Sequence, residues 1–178
     1  MTPLSMKDKM RISQATRRLA FIGMLGALAL VLSALEAMLP PLPMLPPGAK
    51  LGLSNIVTMY AAGAVGLVPA LCIALLKGLF AGAMSGSVAL LMSTAGGLAS
   101  TLVMWLLLRP KKQPFGTIGL GVAGALTHNI AQLGVAALLT TPAVGWYAPW
   151  LLLFGMAAGI LTGLVLRAVT PFLEHFKT

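Results

Sequence analysis

Acidic side chains are almost missing from this chain. Among 178 residues the only carboxylates besides the C-terminus are Asp8, Glu36 and Glu174, and Asp8 is the sole aspartate. Catalysis by paired carboxylates, or a carboxylate cage for Ca²⁺ or Mg²⁺, needs more than this. Cysteine is equally scarce: the single Cys72 excludes an internal disulfide and a Cys-rich metal site, and its place in an apolar run assigns it to packing. Charged residues make up 8% of the chain, against about 25% in an average soluble domain. A water-facing surface cannot be assembled from that supply, so a soluble fold is excluded. The nucleotide-binding pattern Gly-x4-Gly-Lys-Ser/Thr is also absent, so the chain does not hydrolyse ATP by itself.

What is present is apolar and basic. Hydrophobic residues account for 58%, and twelve basic residues give a formal charge of +9. The bases do not form a stripe interleaved with stacking aromatics, which excludes nucleic acid as a partner. Lys7, Lys9, Arg11, Arg17 and Arg18 precede the first apolar run; Arg109, Lys111 and Lys112 sit together mid-chain; Arg167 and Lys177 come near the end. Bases clustered between long apolar stretches follow the positive-inside rule.

The apolar stretches divide into six spans. The first, Leu19 to Leu39, is 21 residues long, too long for the core of a typical secretory leader, and is expected to remain in the membrane. Pro40, Pro41, Pro43, Pro46, Pro47 and Gly48 make a rigid non-helical connection. From Leu51 to Leu108 the run is too long for two helices. Gly66 to Pro69 and Ser85 to Ser87 break it into spans near 53–67, 69–84 and 88–108. After the loop Arg109-Pro110-Lys111-Lys112-Gln113-Pro114, a fifth span covers 118–139 and a sixth 147–169. Parity supports the count: six spans place the N-terminus, the Arg109–Lys112 loop and the C-terminus on one face, the cytoplasmic one, with ten of the twelve bases. The expected architecture is an all-α integral membrane protein of the plasma or bacterial inner membrane. It has six transmembrane helices, cytoplasmic ends, a basic segment 1–18, a membrane domain 19–170 and a tail 171–178. Trp146, Tyr147 and Trp150 fall at the outer interface and Trp105 near the inner one.

Small residues mark helix contacts in a bilayer. Gly155, Gly159 and Gly163 recur every four residues in the sixth span, suiting internal packing or a partner. Ala29, Ser33 and Ala37 repeat the spacing in the first span and are read as a docking face for a partner membrane protein.

Polar groups inside the spans need a reason, because a charge at the bilayer centre costs about 2.5–3.5 kcal/mol on insertion scales. Lys77 either snorkels to an interface or contacts an anion within the bundle. Glu36 lies near the outer end of the first span, open to water there, and no pairing with Lys77 is assumed. In the fifth span His128 and Gln132 are one turn apart on one face with Asn129 beside them, which suits interhelical hydrogen bonding or a substrate pocket. With His175 in the tail, histidine metal ligation is not expected. Lys50, Ser54 and Asn55 stand where the proline-rich connection enters the second helix: Ser54 reads as a cap, and the helix start with Lys50 as an anion site.

Three segments carry a resemblance. Lys50-Leu-Gly-Leu-Ser-Asn-Ile-Val-Thr58, Gly96-Gly-Leu-Ala-Ser-Thr-Leu-Val-Met-Trp105 and Gly124-Ala-Leu-Thr-His-Asn-Ile-Ala-Gln132 resemble the signature stretches of the Gx transporter family, over roughly residues 15–170. That family is also labelled heptaprenyl diphosphate synthase component I, and it is similar to the S components of energy-coupling factor (ECF) vitamin transporters. The resemblance implies a six-helix, non-enzymatic subunit that binds a vitamin-, isoprenoid- or cofactor-related small molecule. It further implies docking through the first helix on a transmembrane coupling subunit driven by ATPase subunits. The substrate-binding residues expected are Asn55, His128, Asn129 and Gln132, then Lys50 and Lys77; no cofactor of its own is expected. The other reading is a non-catalytic accessory membrane subunit of a quinone/flavin electron-transfer or prenyl diphosphate system. Prenyl diphosphate synthases hold Mg²⁺-diphosphate on aspartate-rich motifs, and one aspartate on a basic tail cannot do this.

Overall fold

The structure is a computed structural model that describes residues 6–38, 52–110 and 115–174, with the side chains of 12–38, 52–110 and 115–171. Six α-helices account for nearly all of it: α1 (Met6–Met38), α2 (Asn55–Ala64), α3 (Leu67–Ser85), α4 (Ser87–Leu108), α5 (Thr117–Leu139) and α6 (Ala148–Glu174), with a 3₁₀ turn, Pro142–Tyr147, leading into α6. Among the described residues there is no strand. All the helices except α2 are long and apolar enough to cross a membrane. The proline-rich connection, Lys50, Lys111, Lys112, His175 and Lys177 lie outside the described residues, as do the side chains of Lys7, Asp8, Lys9, Arg11 and Glu174.

Helix boundaries follow backbone chemistry. Gly66 at φ +110° and Gly86 at φ +87°, both with ψ near 180°, separate α2 from α3 and α3 from α4. Only glycine adopts that conformation without strain. Pro69 sits in the first turn of α3, where a missing N–H costs nothing. Nothing surrounds Gly86 within 4 Å of an added Cβ. Gly86→Ala is therefore expected to destabilise by about 1–3 kcal/mol through backbone strain alone, measurable as a lower unfolding temperature in detergent.

Three elements differ from the expected spans; the last helix runs on to Glu174, five residues past the expected end at 169. The first helix starts at Met6, because residues 6–18 contain neither glycine nor proline and are mostly good helix formers. The second is ten residues long, about 15 Å at 1.5 Å per residue, half the thickness of a hydrocarbon core. Short as it is, α2 touches each of the five other helices. Around it, α1, α3, α4, α5 and α6 form an arc in which each packs on the next. Among the described residues α1 and α6 do not touch. Val57, Met59, Tyr60 and Ala61 of α2 form the centre of the core with Leu25, Ile73, Met104, Leu120 and Leu166 from the arc. Outward faces carry Leu28, Val31, Leu79, Leu106, Leu153 and Leu164, an apolar surface suited to lipid. Cys72 is exposed on this surface, which corrects its assignment to packing.

Polar contacts order the two ends. The Arg18 guanidinium donates to the Val65 carbonyl at 3.1 Å, joining the basic part of α1 to the end of α2. The Arg109 guanidinium lies 3.9 Å over the Trp105 ring at the close of α4. At the opposite end Trp146 is 87% exposed. The stripe Gly155, Gly159, Gly163 is internal: it faces Asn129, Val122 and Ile118 of α5, as the packing alternative expects.

The expected docking stripe of α1 is divided. Ala29 and Ser33 are buried within the chain, and only Ala37 is exposed. The reason is the inward pull of α2 and α3: the small residues of α1 let those two helices approach it, so that face is used inside the protein.

Candidate functional site

The site forms where α2 begins. Because α2 is half-height, its first residue, Asn55, lies about 15 Å from the end where Val65 closes it. Lys77 of α3 and His128 of α5 are ten and eleven residues into their helices from that same end, which places them at a similar height. Three contacts tie these residues together. The Lys77 ammonium donates to Asn55 Oδ1 at 2.8 Å. A Cβ added at Gly52, in the lead-in to α2, would stand 2.7 Å from Asn55 Nδ2 and 3.6 Å from the His128 ring. A Cβ at Gly96 of α4 would stand 2.8 Å from His128 Nδ1. Glycine at 52 and 96 therefore lets the backbone lie against the amide of Asn55 and the imidazole.

Lys77 is 3% exposed, so it does not snorkel to an interface. Glu36 is 7% exposed, a correction to the expectation that water reaches it, and its carboxylate accepts the Gly52 N–H. The cause is local: α2 begins beside α1, and a carboxylate is favourable at a helix N-terminus. The helix start is closed to anions in other ways too. Asn55, Ile56 and Val57 donate their N–H groups to the carbonyls of Gly52, Leu53 and Ser54 at 2.8, 3.1 and 3.3 Å. These tight turn bonds replace the expected side-chain cap, and Ser54 makes no capping hydrogen bond. Lys50, the expected cation of an anion site, lies outside the described residues.

The fifth-helix triad is split between two jobs. Asn129 Nδ2 donates to the Leu151 carbonyl of α6 at 2.8 Å, so it joins helices. His128 faces the other way, against Gly52 and Gly96 at the start of α2, and Gln132 follows it on the same face of α5. Gln132 lies one turn, about 6 Å, beyond His128, on the side where α2 no longer runs. It is 1% exposed, and neither Nε2 nor Oε1 has a hydrogen-bond partner among the described residues. Asn55 Nδ2 and Thr101 Oγ1 are also buried without partners there. Each such group costs about 1–3 kcal/mol when nothing satisfies it.

The structure thus brings Asn55, Lys77 and His128 together, sets Gln132 one turn beyond His128 on the same helix face, and turns Asn129 toward α6. Glu36, Gly52, Gly96 and Thr101 were not among the expected binding residues. Gly52 and Gly96 do lie within the quoted signature segments. Thr101 lies in the second of those segments too, but its side chain gave no separate signal, since a hydroxyl in a membrane helix ordinarily bonds its own backbone. Among the described residues no group of three His, Cys, Asp or Glu side chains is placed to hold a metal.

Comparison with known proteins agrees with this architecture. The sequence profile of the family described as heptaprenyl diphosphate synthase component I matches residues 25–169. A solved structure of the S component of a bacterial ECF transporter is similar, with a TM-score of 0.65 and 24% identity. The match covers 91% of this chain and 98% of that one, so the two share a fold. No curated protein matches.

Proposed function

This chain belongs to the heptaprenyl diphosphate synthase component I family, and from that membership we propose that it is the substrate-binding membrane subunit of an energy-coupling factor type uptake transporter. It takes a small vitamin-, isoprenoid- or cofactor-related molecule and catalyses no reaction. One observation carries the reading: Asn55, bonded to the buried Lys77 and close to His128 across Gly52, stands at the start of a half-height helix that five long ones pack around, with the unpartnered Gln132 amide one turn beyond His128. Broken helices in transporters end at bilayer mid-depth for this purpose, to offer polar groups to a substrate. The fold shared with an S component supports it.

In this proposal the chain crosses the plasma membrane six times with both ends cytoplasmic, and α2 carries it through the inner half of the second crossing. The substrate enters from the outer face, toward Gln132, and rests on Asn55, Lys77 and His128. Asn129 holds α6 in register, and Lys50, outside the described residues, is kept as a substrate contact on the reading of the sequence alone. Energy comes from ATPase subunits through a transmembrane coupling subunit. Ala37 is the residue of the expected α1 docking face that is on the surface; Ala29 and Ser33 act by seating α1 on its neighbours.

Native mass spectrometry of the detergent-purified chain tests the pocket. The wild type is expected to retain a small molecule, and His128→Ala and Asn55→Ala to lower its occupancy at least tenfold. Full occupancy in both variants would place the ligand elsewhere. Co-purification with ATPase subunits tests the transport half, and ligand uptake by the isolated chain without ATP would refute it. The family's description keeps a second reading in play, an accessory non-catalytic subunit of prenyl diphosphate synthesis. It predicts co-purification with a soluble, aspartate-rich prenyltransferase instead.

A further inference from the structure

The hydrogen-bonding groups of the cluster differ in what they have left to offer. Among the described residues, the positive and N–H-rich features of the cluster that would attract an anion already have partners. The Gly52 N–H goes to the Glu36 carboxylate, the first three N–H groups of α2 go to carbonyls, and the Lys77 ammonium goes to Asn55 Oδ1. The open groups are neutral amides. Gln132 presents an acceptor and a donor side by side, both buried and both without partners among the described residues, and Asn55 Nδ2 adds another open donor.

A carboxamide with both ends open is matched by a donor and an acceptor side by side, and an amide edge is the simplest neutral group that presents them. Oε1 needs an N–H, Nε2 needs an acceptor, and the two lie in one plane about as far apart as the N–H and C=O of an amide locked in the cis form. We propose that Gln132 reads such a neutral cis-amide edge, as found in a lactam, an imide or a primary amide, on the molecule this subunit binds. Two antiparallel hydrogen bonds form, N–H to Oε1 and Nε2–H to C=O. A carboxylate or phosphate offers acceptors alone and leaves Oε1 facing a negative charge. An ether or ester leaves it unsatisfied. A site built to hydrogen-bond an N–H rejects analogues lacking it far more strongly than an apolar pocket rejects a change of size. This inference rests on the substrate-binding reading given above.

Three probes of one shape test it on the full-length chain in detergent: 2-quinolone, which carries the cis-amide edge; 2-methoxyquinoline, which lacks the N–H; and quinoline-2-carboxylate, which is anionic. The wild type is expected to bind 2-quinolone at least tenfold more tightly than either of the others. In Gln132→Leu and Gln132→Met the preference is expected to fall below twofold, with unfolding temperatures equal to or above wild type, since an orphaned amide has been replaced by apolar atoms. Equal binding of the three probes, tightest binding of the carboxylate, or a preference that survives both substitutions would overturn the proposal. So would a drop in unfolding temperature in both variants, which would show ordered water completing Gln132 for the fold. If the protein retains a molecule in mass spectrometry but that molecule has no cis-amide edge, the role of Gln132 fails and the binding function stands. If nothing is retained and no probe binds, both fail.

Discussion

Gly159→Ala is expected to destabilise the protein by about 3 kcal/mol, the upper end of the range for forcing atoms into a packed interior. The α5–α6 contact is backbone against backbone. A Cβ at Gly159 would stand 2.6 Å from Val122 Cα and 2.9 Å from the Gly121 carbonyl oxygen. A Cβ at Gly163 would stand 2.5 Å from Ile118 Cα, and one at Gly121 would stand 2.9 Å from Gly163 N. Side chains can rotate away from a new methyl group; a helix backbone can only move as a body. Accommodating one methyl group therefore means separating α5 from α6, which also stretches the Asn129–Leu151 hydrogen bond. Gly134→Ala is the control. It is in α5, the helix that Gly159 packs against, nothing lies within 4 Å of its added Cβ, and there the loss of backbone freedom should raise stability by about 0.5–1 kcal/mol. Thermal or denaturant unfolding followed by circular dichroism measures both. Were Gly159→Ala to unfold at or above the wild-type temperature, the close α5–α6 contact would be wrong.

The second large effect concerns Asn55 and Lys77. Asn55→Leu removes the acceptor 2.8 Å from a buried ammonium, and a hydrogen bond to a charged group is worth about 1.5–3 kcal/mol. Lys77→Met removes the ammonium and also the expense of keeping a charge at mid-depth, so alone it is expected to change stability by less than Asn55→Leu. In the double variant the loss caused by Asn55→Leu should largely vanish, because the ammonium that the Asn55 oxygen served is gone too. A double-mutant cycle is expected to show coupling of about 1.5–3 kcal/mol, and additivity within about 0.5 kcal/mol would show that the contact carries no energy. Both single variants are also expected to weaken ligand binding.

Much of the fold was legible because apolar length and charge clustering are direct physical signals. The breaks at Gly66 and Gly86 and the extents of α3, α4 and α5 fall within two residues of their expected places. The glycine stripe of the last helix was legible as a contact, though only the structure shows that α5 covers it. The shortness of α2 was hidden: Leu51 to Ala64 is apolar throughout most of its length, and composition does not reveal that Gly52 to Ser54 form tight turns. From that follow the other differences. With α2 starting at mid-depth, Asn55 and Lys77 share a height, and Glu36 gains an N–H at Gly52 instead of water. His128 and Gln132 were legible as one face of α5. Which neighbour each would meet was not, because periodicity gives a face but no partner, and Asn129 accordingly went to α6.

The half-height of α2 also bears on how the chain enters a membrane. A segment of about 15 Å cannot hold a place across a core of about 30 Å by itself. It must be delivered together with α3, as a hairpin folded at Gly66. Asn55 and Lys77 lie on the two arms of that hairpin and bond across it, so the lysine arrives with its partner already in place. The contact that belongs to the proposed site is thus available from the first moment of insertion, when a lysine is hardest to bring into lipid.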